Sequence, residues 1–202
     1  MAAPKKYQLR DELIAKNVFL RDPPSMTTWE FMRIAAWKSA YIPAAISVGD
    51  PEEIEETLRM IFTRLKKYKE MKVVDEANKI KWDEWESDVR WMFNDTRLLS
   101  LPGVGYALAT ALLSYLLPEA FPVMDRLTIG GVFGWDVARR TKSWNLTSVY
   151  RKYAEHLAKA RFDEWVGLSV HERDQDLMSV MKPLEKTRSA CPLKSLGLLS
   201  LQ

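Results

Sequence analysis

The feature that most constrains the fold of this chain is a glycine-containing turn at residues 101–105, placed between two helical patterns. Its sequence is Leu-Pro-Gly-Val-Gly, and an apolar run follows it as far as Leu117. Two glycines flanking a valine permit a tight turn at a position where a side chain would clash. Backbone N–H groups at the N-terminus of the following helix can bind an anion. The segment therefore predicts a hairpin of two helices whose connecting turn binds a phosphate.

Apolar residues recur at helical spacing through most of the chain, and no alternating pattern of convincing length indicates a strand. A further helix is expected to start at Asp125 and to end at Gly130 and Gly131, or at Gly134. The other predicted helices lie at residues 29–40, from 51 onward, 82–93, 94–101, 106–117, 146–162 and 174–181. The sequence predicts an all-α fold.

The helix predicted at residues 82–93 carries a stripe of large apolar side chains that includes Trp82 and Trp85. We interpret these tryptophans as core residues rather than as a ligand cage. The acidic residues of this helix are expected on its outer face; they are Asp83, Glu84, Glu86 and Asp88.

The composition indicates a globular chain, because 47% of its 202 residues are hydrophobic. The net charge of +3 is only mildly basic and does not by itself indicate nucleic-acid binding. Basic residues are concentrated at residues 64–72 and 136–161. Each of these runs is either a contact for a polyanion or a solvated helix face.

The chain has one cysteine, Cys191, which excludes an internal disulfide and a multi-cysteine zinc or iron-sulfur site. His156 and His171 lack metal-ligand spacing, so no metal site is predicted. Residues 1–10 are polar and do not resemble a signal peptide. The longest apolar run, at residues 106–117, is too short to span a bilayer. We expect an intracellular protein, cytoplasmic or nuclear, without a membrane partner.

The order of motifs resembles the helix-hairpin-helix DNA glycosylase superfamily. The glycine turn is followed by a helix of small residues and then by Pro122-Val123-Met124-Asp125. Asp125 lies 18 positions after Ala107, as in several branches of that family. Detailed matching covers residues 29–135.

The resemblance implies two helical lobes around a cleft, within a folded region at residues 25–186. One lobe would comprise residues 45–125, and the other would combine residues 25–44 with 126–186. Residues 1–24 are interpreted as an N-terminal arm with a short helix, and residues 187–202 as a tail.

In this family an aspartate beyond the second helix promotes cleavage of the N-glycosidic bond, and the resemblance assigns that catalytic role to Asp125. Departure of a base leaves positive charge on the sugar, which a fixed carboxylate stabilises while water attacks. An aspartate before a helix is also a good N-cap. Asp125 therefore has either role, or both.

The resemblance assigns DNA binding to the turn and its flanking residues. These are Leu101, Gly103, Val104, Gly105, Tyr106, Ala107 and Arg126. Tyr106 is either a wedge or pocket wall, or an ordinary packing residue. Arg126 either contacts a phosphate or pairs with an acidic side chain.

The end of the helix predicted at residues 29–40 corresponds to a family helix that lines the pocket for the flipped base. The resemblance therefore places Trp37 and Ser39 in that pocket. Lys38 is either a solvated lysine at the helix end or an amine nucleophile.

Two departures from the family pattern refine the expected chemistry. Lyase-type members carry a lysine immediately after the hairpin, whereas this chain has Ala107. The four-cysteine iron-sulfur cluster of some branches is excluded by the single Cys191. A monofunctional enzyme of base excision repair is expected, which acts on a modified base flipped from double-stranded DNA. No cofactor is expected, although the hairpin could bind a monovalent cation. The alternative is a non-catalytic helix-hairpin-helix protein that binds DNA structures.

Overall fold

A computed structural model describes residues 14–38, 41–71, 81–94, 96–133, 146–160 and 165–184. Across these residues the secondary structure is helical, with no strand, and the all-α prediction is confirmed. We number the main helices α1 (Thr28–Lys38), α2 (Ile42–Ile46), α3 (Pro51–Leu65), α4 (Trp82–Met92), α5 (Tyr106–Leu116), α6 (Arg126–Phe133), α7 (Leu146–Lys159) and α8 (Val170–Leu184). Short 3-10 helices occupy Lys66–Tyr68 and Leu98–Ser100.

The described helices include none that is both long and apolar enough to cross a membrane.

The chain divides into two compact units. The first contains Met1–Met71 and Asp88–Leu117, and the second contains Lys72–Ser87 and Pro118–Gln202. Residues 25–44, which the resemblance groups with residues 126–186, belong to the first unit in this division.

Helix α3 begins where the sequence predicts. Asp50 precedes it in an extended conformation, and an Oδ atom of Asp50 accepts a hydrogen bond of 2.9 Å from the N–H of Glu52. Pro51 occupies the first helical position, where a missing N–H costs nothing. Ile54, Leu58, Ile61, Phe62 and Leu65 form its buried face.

In the first unit, α1 packs against both α2 and α5. Helix α5 is buried along nearly its whole length, which explains its apolar sequence. Phe19 precedes α1, inside the segment interpreted as an arm, and its buried ring packs edge to face against Phe62 at 6.0 Å. Part of that segment thus contributes to the core of the first unit.

The core of the second unit contains Trp85. Its indole stacks on Phe121 with the ring centroids 5.3 Å apart, and its Nε1 atom donates to the carbonyl oxygen of Ala120. The ring of Tyr150 lies 5.2 Å away on the same indole. The prediction that Trp82 and Trp85 are core residues is confirmed, since Trp82 is buried as well.

Helix α6 continues through Gly130 and Gly131 to Phe133. A Cβ atom at residue 131 would lie 2.6 Å from the Sδ atom of Met181 in α8. Glycine leaves room there for the side chain of Met181 between α6 and α8, and it does not end the helix.

The buried guanidinium of Arg173 holds the chain around the C-terminus of α7. It donates to the carbonyl oxygens of Leu157 at 2.8 Å, Ala160 at 3.1 Å and Trp165 at 3.0 Å. The last carbonyls of a helix lack partners within that helix. One side chain thus donates hydrogen bonds to several backbone carbonyls around the end of this helix.

We predict that Arg173→Lys lowers the free energy of unfolding by about 2 kcal/mol or more. A lysine ammonium cannot reproduce the planar array of donors, so buried hydrogen bonds to these carbonyls are lost. Chemical denaturation measures the loss. The control is Arg59→Lys on the exposed face of α3, which should change stability by less than about 0.5 kcal/mol. Equal stability of the two variants would contradict the role given to Arg173.

Candidate functional site

The turn at residues 101–105 is closed by its own backbone. The N–H of Val104 donates to the carbonyl oxygen of Leu101 at 3.0 Å, and both side chains are buried. Gly103 adopts φ +75°, a left-handed conformation that side chains other than glycine rarely adopt. Gly103 and Gly105 are exposed. The turn therefore anchors its apolar residues inward and presents its glycine backbone to solvent.

Gly103 is also required by the helix that packs against the turn. A Cβ atom at residue 103 would lie 2.8 Å from the Cβ of Ala45 and 3.6 Å from Ile42, both in α2. On the other side, a Cβ at residue 49 would lie 2.8 Å from the Cγ of Pro102. Small residues on both segments thus allow α2 and the turn to approach closely.

Two backbone N–H groups at the start of α5, those of Gly105 and Ala107, lie at exposed residues. Gly105 is the N-cap and has no side chain with which to cap the helix. Among the described residues, no acceptor is hydrogen-bonded to the N–H of Gly105 or of Ala107. The space beside Gly105 is open, with no atom within 4 Å of an ideal Cβ. An anion can bind at such a helix N-terminus without displacing a side chain.

Tyr106, the first residue of α5, packs against the core of its unit while part of its surface stays accessible. Its ring meets Phe93 edge to face, with the centroids 5.4 Å apart and an interplanar angle of 88°. The packing role considered for Tyr106 is thus observed. Its role as a wedge or pocket wall stays a prediction.

Trp37 and Lys38 end α1, but their side chains, and Ser39 altogether, lie outside the described residues. Their assignment to a base pocket, and the nucleophile role considered for Lys38, stay predictions.

We predict that Gly103→Ala lowers the free energy of unfolding by about 2 kcal/mol, because it combines a left-handed backbone with a contact against Ala45. The matched control is Gly105→Ala, where φ is −108° and the surrounding space is open. Gly105→Ala loses only the N-cap preference for glycine, about 1 kcal/mol or less. Thermal unfolding followed by circular dichroism compares the two variants. A control that is as damaging as Gly103→Ala would contradict this explanation.

Asp125 is the N-cap of α6. Its Oδ1 atom accepts a hydrogen bond of 2.6 Å from the N–H of Leu127, and its carbonyl oxygen accepts one of 3.0 Å from the N–H of Ile129. The hydroxyl of Thr128 also donates to that carbonyl, at 3.1 Å. The capping role considered for Asp125 is therefore confirmed. The carboxylate is half-buried and held in a fixed orientation.

A buried tyrosine and a buried carboxylate lie close to Asp125. Tyr153 of α7 donates a hydrogen bond from its hydroxyl to Oδ1 of Asp174 in α8. Burial raises the pKa of Tyr153 well above its usual value, and the charge and hydrogen bond of Asp174 add to this effect. The charge of Asp125 raises the pKa of Tyr153 further, whereas a hydrogen bond with Thr128 lowers it. Asp125 is thus electrostatically linked to Tyr153.

Thr128, Tyr153 and Asp174 are residues that sequence reasoning did not assign to a site. Tyr150 and Tyr153 have a visible signal, since they occupy one face of an amphipathic helix, and both are fully buried. The hydroxyl of Tyr150 donates to the carbonyl oxygen of Pro122 at 2.7 Å. The pairing of Tyr153 with Asp174 joins two consecutive helices across 21 residues, and no local pattern indicates it.

Arg126 is exposed at the first position of α6. Within the described ranges it forms no ion pair, so the acidic partner considered for it is not seen there. Grouped His, Cys, Asp or Glu side chains able to hold a metal ion are also not found among these residues.

The basic run at residues 136–161 is partly neutralised where it is described. Arg151 donates to Asp83 at 2.6 Å and to Glu86 at 2.9 Å, and Lys159 pairs with Glu155. The part of the run at residues 136–145 lies outside the described residues.

We predict that Asp125→Ala lowers the free energy of unfolding by about 1 kcal/mol, whereas Asp125→Asn changes it by a few tenths. Asparagine caps a helix about as well as aspartate, and alanine cannot cap. Urea denaturation of the two variants and the parent chain measures the difference. If the asparagine variant lost as much stability as the alanine variant, the charge rather than the cap would be what stabilises α6.

Comparison with known proteins gives no matching family model, no matching curated protein and no matching solved structure.

Proposed function

We propose that this chain is a monofunctional DNA glycosylase, which hydrolyses the N-glycosidic bond of a modified base flipped out of duplex DNA. The observation that carries the proposal is the exposed glycine turn at residues 101–105, with its uncapped helix N-terminus. The order of this turn and Asp125 in the chain, which resembles the helix-hairpin-helix glycosylases, supplies the reaction class.

In this proposal, the turn binds a backbone phosphate of the DNA. The N–H groups of Gly105 and Ala107 are available to a phosphate oxygen, and the positive end of the α5 dipole favours a negative charge there. Such contacts hold the duplex in register but carry no sequence information. The modified base is therefore recognised by other residues, among which Trp37 and Ser39 are proposed.

The proposed role of Asp125 is to stabilise positive charge on the deoxyribose. The bond between C1′ and the base nitrogen breaks, and its electron pair leaves with the base. The carboxylate stabilises the resulting oxocarbenium ion, a water oxygen bonds to C1′, and the carboxylate accepts the proton of that water. One carboxylate suffices if the departing base is cationic or becomes protonated. The products are a free base and an abasic site.

The proposed enzyme hydrolyses the bond directly, without a Schiff base at the usual position. Ala107 stands where lyase-type members of the superfamily carry their lysine, and alanine has no amine to attack the sugar. Lys38 is the alternative amine. Borohydride trapping distinguishes the two routes, since only an imine between protein and DNA is reduced to a stable adduct.

We predict that Asp125→Asn reduces base release at least about 100-fold while DNA binding and fold stability are retained. The substitution keeps the helix cap and removes only the charge, so it separates catalysis from folding. The assay screens duplexes carrying alkylated, deaminated, oxidised or enzymatically modified bases, and detects strand cleavage after alkali. Asp125→Ser, which also caps a helix, should be equally inactive. Normal release by both variants would contradict the role of Asp125.

The capping geometry favours a second function, a non-catalytic protein that binds DNA structures. Because Asp125 stabilises α6, its presence is explained without catalysis. This alternative predicts salt-sensitive binding to nicked or abasic duplexes without release of any base. Turnover of a single modified base, lost in Asp125→Asn, would exclude it.

A further inference from the structure

Asp88 organises a group of cationic side chains on the first unit. It is only 3% exposed, although the sequence pattern suggests an outward position. Arg64 donates from Nε to Oδ1 of Asp88 at 2.7 Å, Tyr68 donates from its hydroxyl to Oδ2 at 2.6 Å, and Lys67 forms an ion pair with the same carboxylate. Burial acts to raise the pKa of Asp88, but the bonds from Lys67, Tyr68 and Arg64 outweigh it and lower the pKa.

Two guanidinium groups lie over a single indole beside Asp88. The Cζ of Arg64 is 4.5 Å from the ring centroid of Trp91, and the Cζ of Arg97 is 4.1 Å from the same centroid. The two guanidinium groups are therefore within about 9 Å of each other. Arg97 also donates from one terminal nitrogen to the carbonyl oxygen of Trp91 at 3.1 Å. We call Arg64, Lys67, Trp91 and Arg97 the Trp91 cluster.

Positive charge exceeds negative charge in the Trp91 cluster. Among the described residues, Asp88 is the carboxylate that pairs with these cations, through Arg64 and Lys67, whose side chains remain 37% and 50% exposed. Both terminal nitrogens of Arg64, and the Nε and second terminal nitrogen of Arg97, have no acceptor among the described residues. Donors that are already oriented and still unused can bind an anion with little loss of side-chain entropy.

The Trp91 cluster belongs to the same compact unit as the glycine turn. Arg97 directly precedes the 3-10 helix Leu98–Ser100, which leads into that turn. Helix α3, which contains Arg64, packs against Leu98–Ser100. The short segment from Arg97 to Gly105 thus connects the Trp91 cluster to the start of α5.

We propose that the Trp91 cluster is a second phosphate-binding surface for the duplex backbone, separate from the glycine turn. The choice of DNA as the polyanion rests on the proposed function. Each guanidinium group carries a planar fork of N–H donors that can bind two oxygens of a phosphate. The cluster adds affinity that depends on salt, since each phosphate that it neutralises releases counterions from the DNA.

The test measures binding of the full chain to a fluorescein-labelled duplex with an abasic-site analogue, by anisotropy at several KCl concentrations. The slope of log K against log salt should decrease in magnitude by about 0.9 for each phosphate that the variant no longer neutralises. We expect this decrease for Arg97→Gln, and about twice the decrease for Arg64→Gln combined with Arg97→Gln. Arg97 does not contact Asp88, so its substitution leaves the buried ion pairs intact.

The matched control is Arg59→Gln. Arg59 lies on α3, is exposed, and pairs with Glu56, so the substitution changes the net charge equally without touching Trp91. Its salt slope should equal that of the parent chain. A decrease in the control as large as in Arg97→Gln would indicate a general effect of net charge and would overturn the proposal.

Base release by the parent chain, assayed in parallel, separates this proposal from the proposed function. Unchanged salt slopes in the cluster variants, with base release by the parent chain, would overturn phosphate binding by the Trp91 cluster and support the proposed glycosylase activity. Reduced slopes without base release from any duplex would support the cluster and overturn the glycosylase. Absence of duplex binding by the parent chain at low salt would overturn both.

Discussion

Burying an ion costs several kcal/mol unless hydrogen bonds occupy its donors or acceptors, and this requirement shapes both compact units. In the first unit, the carboxylate of Asp88 accepts hydrogen bonds from Arg64 and Tyr68 and forms an ion pair with Lys67. In the second, the buried guanidinium of Arg173 satisfies carbonyls around the end of α7. The consequences differ. The guanidinium of Arg173 binds backbone carbonyls, whereas the side chains of Arg64 and Lys67 stay partly exposed beside Asp88, and Arg64 has terminal nitrogens without an acceptor among the described residues. A buried carboxylate thereby fixes the positions of exposed cations.

Sequence alone predicts the features that local physics decides. The start of α3 at Pro51 follows from a capping aspartate, a proline and two acids, all within four residues. The glycine turn follows in the same way, because its conformation is determined by Gly103 and the residues beside it. The outward position predicted for Asp88 was wrong, although the signal existed: it lies three residues after Trp85 and so shares the buried stripe of α4.

What the sequence did not provide depends on contacts between distant segments. The pairing of Tyr153 with Asp174 requires α7 and α8 to be packed first, and nothing in either helix specifies the partner. Gly131 looks like a helix terminus until Met181 is placed against it. The resemblance implies a reaction class and an order of motifs. The residues that recognise a base depend on tertiary arrangement. The side chain of Trp37, and Ser39, lie outside the described residues, so their place in a base pocket stays a prediction.

Capping and catalysis by Asp125 are compatible on physical grounds. A catalytic carboxylate is most effective when it is already oriented, because no reorganisation is then needed as charge develops on the substrate. The N–H of Leu127 fixes Oδ1, and the rigid start of α6 fixes the backbone that carries it. Under the proposed function, the bond that explains Asp125 structurally is also the means by which its charge is held in place.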